Sequence, residues 1–153
     1  MFSKYACYAL FALLVPLAFT QIKDPLLGTW ELDRGKSEFQ PDTTLHSRIL
    51  TVEASGKAIK FVQDTVLLDG HTVQVEFAAA YDEKDVPISS SVLDTVALKR
   101  VNPTTIVRTG KIRGQATETA TMVVSADSKV LTITTKGSGN GVDYSSTQVF
   151  NRK

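Results

Sequence analysis

The side chains that could perform catalysis or bind a metal are few and scattered in this 153-residue sequence. His46 and His71 are the only two histidines, and neither has carboxylates beside it at the spacing of a metal site. The serines at 89–91 and 145–146 lie outside the Gly-x-Ser-x-Gly setting of a hydrolase nucleophile. The sequence therefore predicts no catalytic group and no metal site.

Two further segments have compositions that occur in ligand sites. The glycine-rich run at 137–141 (GSGNG) lacks the Lys-Ser/Thr of a phosphate-binding loop and precedes a predicted strand, so we interpret it as a hairpin loop. Asp82, Glu83 and Asp85 lack the spacing of a calcium loop and are interpreted as a solvated turn. We therefore predict no cofactor.

Apolar side chains on the predicted inner faces of strands form the more informative set. They would line a cavity for a small hydrophobic or amphipathic ligand, with tyrosine or arginine anchors, or would fill the interior as a core. Arg108 shares a face with Ile106 and Ile112, so its charge must pair with or bind another group. The alternative is a different strand phase, which would place Arg108 in water. The predicted ligand-binding residues are Phe61, Val75, Phe77, Tyr81, Val96, Arg108, Met122 and Tyr144.

These residues lie on β-type segments that alternate with turn signals. Asp69-Gly70 predicts a type I′ hairpin turn, and residues 71–81 alternate with period two. Residues 33–43 and 82–91 are predicted loops, the first with one helical turn around 36–39. In the predicted strand 45–54, the apolar residues change from one face to the other between Ile49 and Leu50, which a β-bulge would explain. The predicted strands are residues 26–32, 45–54, 58–68, 71–81, 92–100, 104–112, 115–125, 130–136 and 142–152.

Short connections between these segments favour one all-β domain, a single antiparallel up-and-down β-barrel of about 8–10 strands. Closing such a meander removes its unpaired edges. An immunoglobulin-like sandwich would usually show a Trp in mid-chain, whereas the only Trp here is Trp30, near the start of the first strand.

The N-terminus predicts a signal peptide over residues 1–20, with the barrel domain at 21–153. Lys4 precedes an apolar run at 5–19, and Ala18 and Thr20 suit a cleavage site before Gln21. An uncleaved membrane anchor is the alternative. Cleavage removes Cys7, the only cysteine, which excludes disulfides and thiol chemistry. It also removes one of 17 basic residues, so that 16 balance 16 acidic ones and nucleic acid is not an expected partner.

The first strand carries Gly28-Thr29-Trp30, which resembles the Gly-x-Trp signature of lipocalins. In such barrels the Trp closes one end against a basic residue of the last strand, and Arg152 is placed for this role, so Gly28, Trp30 and Arg152 are the predicted closure. More widely, residues 25–152 resemble a family of bacterial secreted lipocalin-like domains, with a calycin-type β-barrel. The similar stretches are 28–39 (GTWELDRGKSEF), 81–87 (YDEKDVP), 94–100 (DTVALKR), 125–132 (SADSKVLT) and 149–152 (VFNR).

The resemblance implies a secreted or periplasmic, non-enzymatic protein that binds a small hydrophobic or amphipathic ligand inside the barrel. The alternative is an envelope or extracellular interaction protein whose barrel is filled by its own side chains. The chain departs from the family at Ser128, where Gly is frequent, and at Val86, where an aromatic residue is common. These departures bear on the ligand more than on the fold.

Overall fold

The computed structural model describes residues 23–153, so the predicted signal peptide lies outside the described residues. Most of this part is β-structure. Residues 23–153 contain no helix that is long and apolar enough to cross a membrane. The eleven strands are β1 (Gly28–Leu32), β2 (Glu38–Gln40), β3 (Leu45–Ser55), β4 (Ala58–Leu67), β5 (Thr72–Ala79), β6 (Val86–Pro87), β7 (Thr95–Asn102), β8 (Thr105–Ile112), β9 (Gln115–Val124), β10 (Val130–Gly139) and β11 (Val142–Arg152).

The prediction of an antiparallel all-β barrel is confirmed, and each of the nine predicted strands is present. The additional strands β2 and β6 are only three and two residues long and lie in the two predicted loops. The helical turn is a 3₁₀ turn at Arg34–Lys36, earlier than predicted, because the Asp33 carboxylate accepts a hydrogen bond from the backbone N–H of Lys36 at 3.2 Å.

Two hairpin turns differ from the predictions. The prediction of a type I′ turn at Asp69-Gly70 is wrong. Type I′ requires a positive φ at both central residues, and here only Gly70 has one (85°). The predicted loop at 137–141 is also too long, since β10 continues to Gly139. The chain reverses at Asn140 and Gly141, whose φ values of 51° and 77° have the sign that type I′ requires.

All neighbouring strands are antiparallel, and the sheet follows the order β5-β4-β3-β1-β11-β10-β9-β8-β7-β6, with β2 paired to β11. At the two ends of this order, Glu76 on β5 contacts Ser89, two residues after the end of β6. The Ser89 N–H donates to the Glu76 carbonyl at 3.0 Å, and the Glu76 N–H donates to Ser89 Oγ at 2.9 Å. These two bonds almost close the sheet into a barrel.

A β-bulge near the start of β3 decides which of its residues face inward. The register with β4 shifts between Leu45 and Ser47, so the predicted bulge is present, a few residues before the face change seen in the sequence. Beyond the bulge, Arg48 pairs in register with Thr65 on β4, and Val52 pairs with Phe61. Period two places Arg48 on the inner face with buried Leu50 and Val52.

Candidate functional site

The barrel is packed at one end and hollow at the other. At the packed end, buried side chains from most strands meet, among them Leu26, Trp30 and Phe150, each with no exposed surface. At the other end lies a cavity of about 880 Å³, and the segments 40–43 and 88–93 are part of its lining. This volume lies in the range that small-molecule sites occupy.

Trp30 and Arg152, two of the predicted closure residues, lie in contact at the packed end. The Arg152 guanidinium lies 4.0 Å from the centroid of the Trp30 ring and donates to the carbonyls of Pro25, Leu27 and Ser128 at 2.6, 2.7 and 2.5 Å. Gly28 has a φ of 139°, and a Cβ there would lie 2.3 Å from Arg152 Nη1. Only glycine therefore leaves room for this guanidinium.

The apolar part of the cavity wall comes from the central strands. Phe61 on β4 and Phe77 on β5 stand opposite each other in register, and their rings stack with centroids 4.6 Å apart and an interplanar angle of 15°. Leu50, Met122 and Ile133 complete this surface, and all five residues are buried. An apolar ligand would lose water-exposed surface against these side chains.

Arg48 is a charged group in the cavity wall whose protein partners are uncharged. Its Nε donates to Thr65 Oγ1 at 2.9 Å, and its Nη1 donates to Gln148 Oε1. Among residues 23–153, no carboxylate forms an ion pair with Arg48. Burial, and to a smaller extent the charge of Arg108, lowers the pKa of Arg48 from 12.5 to about 10.

A second charged group of the wall is internally paired. Arg108 forms an ion pair with Glu118, whose side chain is only 10 % exposed, and the Tyr144 hydroxyl donates to the other Glu118 oxygen at 2.8 Å. The Tyr144 ring crosses above Gly137, where a Cβ would lie 2.3 Å from the ring. Burial and the bond to Glu118 raise the pKa of Tyr144. Arg108 Nε is buried and has no hydrogen-bond partner among the described residues.

The structure brings together six of the eight predicted interior residues. Phe61, Val75, Phe77, Arg108, Met122 and Tyr144 line the cavity; whether they bind a ligand stays a prediction.

The other two lie elsewhere, which corrects their predicted placement. Val96 is fully buried in the core. Tyr81 follows the end of β5, where its hydroxyl donates to the Asp24 carboxylate at 2.5 Å and its ring lies 4.1 Å from the Arg100 guanidinium carbon. The period-two alternation continues in the sequence beyond Ala79, where β5 ends, and no pattern in the sequence marks that the N-terminal segment packs here.

Several cavity residues were not predicted from the sequence. Arg48, Thr65, Glu118 and Gln148 all line the cavity. The bulge before Arg48 was the available signal, because counting in steps of two from Val52 and Leu50 reaches Arg48. No comparable signal marks Gln148, whose partner is a hundred residues away.

Neither histidine belongs to a metal site in the described part. His71 Nδ1 lies 3.0 Å from an oxygen of the exposed Asp69, and His46 is exposed. Residues 23–153 contain no cluster of three or more His, Cys, Asp and Glu side chains that could hold a metal ion.

Comparison with known proteins identifies the fold but no family. No family model matches the chain, and no curated protein does. Among solved structures, the zebrafish ileal bile acid-binding protein in complex with cholic acid matches with a TM-score of 0.53 and 12 % sequence identity. The match covers 84 % of this chain and 99 % of that one. The two chains therefore share a calycin-like β-barrel fold.

Proposed function

We propose that this protein binds one small hydrophobic or amphipathic molecule inside its barrel. The observation that carries the proposal is the cavity of about 880 Å³, whose wall combines aromatic and aliphatic side chains with a few polar groups. Small-molecule sites usually have this composition, because apolar contact supplies affinity and the polar groups fix orientation. The zebrafish protein, which has the same fold, is a bile acid-binding protein in complex with cholic acid, and this supports the proposal.

The alternative of a barrel filled by its own side chains agrees less well with the interior. Filling is complete only at the end around Trp30 and Phe150. The other end keeps open space beside Phe61, Phe77 and Met122. A protein that used only its outer surface would have no need for this space, since empty volume costs stability.

We also propose that the chain is exported and acts in the periplasm or outside the cell. The apolar run at 5–19 and the small residues Ala18 and Thr20 support this. N-terminal sequencing of the secreted or periplasmic protein is expected to begin at Gln21. A protein that retains Met1 and stays with the cytosolic fraction would contradict export.

The binding proposal can be tested with the neutral fluorescent probe N-phenyl-1-naphthylamine. We expect saturable binding of one probe per chain. Val75→Trp places a large ring in the cavity and should weaken binding at least about ten-fold, which corresponds to about 1.4 kcal/mol. Val123→Trp is the matched control, because Val123 is 40 % exposed on the outer surface.

The two variants separate cavity binding from adsorption to the surface. Unchanged affinity in Val75→Trp, or equal loss in both variants, would contradict a site inside the barrel. Absence of saturable binding to the wild-type protein, with this probe and with the probes named below, would contradict the proposed function as a whole.

A further inference from the structure

We propose that the cavity selects an amphiphile with a single negative charge, whose headgroup binds to Arg48. This inference rests on the proposed function and names the chemical class of its ligand. A carboxylate or sulfonate headgroup on an apolar body fits the description.

The charges that face the cavity do not balance. Arg48, Arg108 and Glu118 are its charged wall residues away from the rim, which leaves one positive charge in excess. Asp42 lies at the rim, where its side chain is 84 % exposed and pairs with Arg34 at 3.0 Å. A buried charge without a counter-ion is costly, and an anion in the cavity would compensate it.

Glu118 is not free to serve as that counter-ion. One of its oxygens pairs with Arg108 and the other accepts the hydrogen bond of Tyr144. The Tyr144 ring can lie here because Gly137 has no Cβ, which would otherwise come within 2.3 Å of the ring. The local group of three is therefore neutral in sum, and the excess charge resides on Arg48.

Arg48 has donors left for a ligand. Thr65 and Gln148 accept from Nε and Nη1, and among the described residues Nη2 has no protein acceptor. A guanidinium has five N–H donors in a planar fork, which suits two oxygens of one carboxylate or sulfonate group. The two uncharged acceptors orient the side chain without neutralising it.

The apolar surface begins directly beside this charge. Leu50 is the next inward residue on β3, and Phe61 pairs in register with Val52, the one after it. A molecule whose anionic group binds Arg48 would therefore lay its body against Leu50 and the stacked Phe61 and Phe77 rings. The order of charge and apolar wall along β3 matches the two parts of an amphiphile.

The test compares 11-(dansylamino)undecanoic acid with its methyl ester, which differs in the charge of the headgroup. At pH 7 we expect the acid to bind at least about ten-fold more tightly than the ester, since hydrogen bonds to charged groups contribute more than neutral ones. In Arg48→Met the acid should lose this advantage and both probes should bind with similar affinity. Lys57→Met removes an exposed positive charge and should preserve the preference.

Each outcome has a distinct meaning. Equal affinity of acid and ester for the wild-type protein would overturn the anionic preference while the proposed function stands, and this comparison requires no variant. Preference for the acid that survives in Arg48→Met, with the variant folded by circular dichroism, would overturn the role of Arg48. If neither of these two probes binds while N-phenyl-1-naphthylamine does, this inference fails and the proposed function stands. If none of the three probes binds, both fail.

Discussion

Replacement of Arg152 by Met tests how the barrel is closed. The change keeps most of the aliphatic stem over Trp30 but removes the guanidinium, and with it three hydrogen bonds to backbone carbonyls and the contact at 4.0 Å with the indole ring. The cation–π contact contributes about 1 kcal/mol, and each hydrogen bond contributes about 1 kcal/mol net. The free energy of unfolding should therefore fall by about 4 kcal/mol.

For a domain of this size, the loss corresponds to a decrease in Tm of roughly 15 °C. Trp30 is the only tryptophan, so its fluorescence reports the unfolding of this end directly during heating or urea titration. Lys153→Met is the control, because the Lys153 ammonium group forms an exposed ion pair with Glu31 at 3.4 Å, and its loss should change Tm little. A decrease below about 3 °C in Arg152→Met would refute the closure.

The remaining predictions concern two tyrosines, Gly137 and Arg48. Burial and hydrogen bonds to carboxylates raise the pKa of Tyr81 and Tyr144, the only tyrosines of residues 21–153. A folded protein that consists of residues 21–153 should therefore show no tyrosinate absorbance at 295 nm near pH 10. Its stability should fall above pH 10, because only the unfolded chain then releases these protons; ordinary titration of the folded protein would contradict this. Gly137→Ala should displace the Tyr144 ring, so that Tyr144 titrates normally. It should also lower the free energy of unfolding in urea by about 1–3 kcal/mol. An unchanged urea midpoint would argue against the close contact between Gly137 and the ring. Arg48→Met should leave the Tm of the unliganded protein equal or higher, since it removes a partly buried charge without a carboxylate partner, whose pKa is lowered to about 10. A decrease of more than about 5 °C would mean that Arg48 stabilises the empty barrel.

The closure could be predicted because its signals are local and lie at the two ends of the domain. Gly28 and Trp30 mark the first strand, and Arg152 ends the last one, so a closed meander brings them together. The short hairpins that define the meander also have signals of their own, such as Gly70 and Gly114, both with positive φ. Period-two patterns then gave the strands within a few residues.

The polar part of the cavity was harder to predict, because it depends on contacts between distant strands. Arg48 on β3 reaches Gln148 on β11, and Tyr144 on β11 reaches Glu118 on β9; in each pair one strand lies between the two in the sheet order. Only Arg108 stood out in the sequence, and the requirement that it find a partner is met by Glu118. A single bulged residue also moves a whole strand to the other face, so Arg48 becomes an inward residue only when the bulge is placed correctly.

The position of Tyr81 shows a different limit. Its alternation with Phe77 and Ala79 is regular, yet β5 ends at Ala79 and Tyr81 binds the N-terminal segment through Asp24. Which segment covers the packed end of the barrel depends on tertiary contacts that strand periodicity does not encode.

Met122 offers the most direct test of an anionic ligand inside the barrel. It is the only methionine of residues 21–153, it is buried, and it lines the cavity. Protein labelled with ¹³C-methyl methionine should therefore give one signal from the cavity, to be followed by NMR during titration with dodecanoate and with 1-dodecanol. We expect the Met122 signal to shift saturably with dodecanoate and to reach its end point at one dodecanoate per chain. The same shift should require a concentration of dodecanol that is at least about ten-fold higher. A Met122 signal that does not move with either compound would contradict binding inside the barrel.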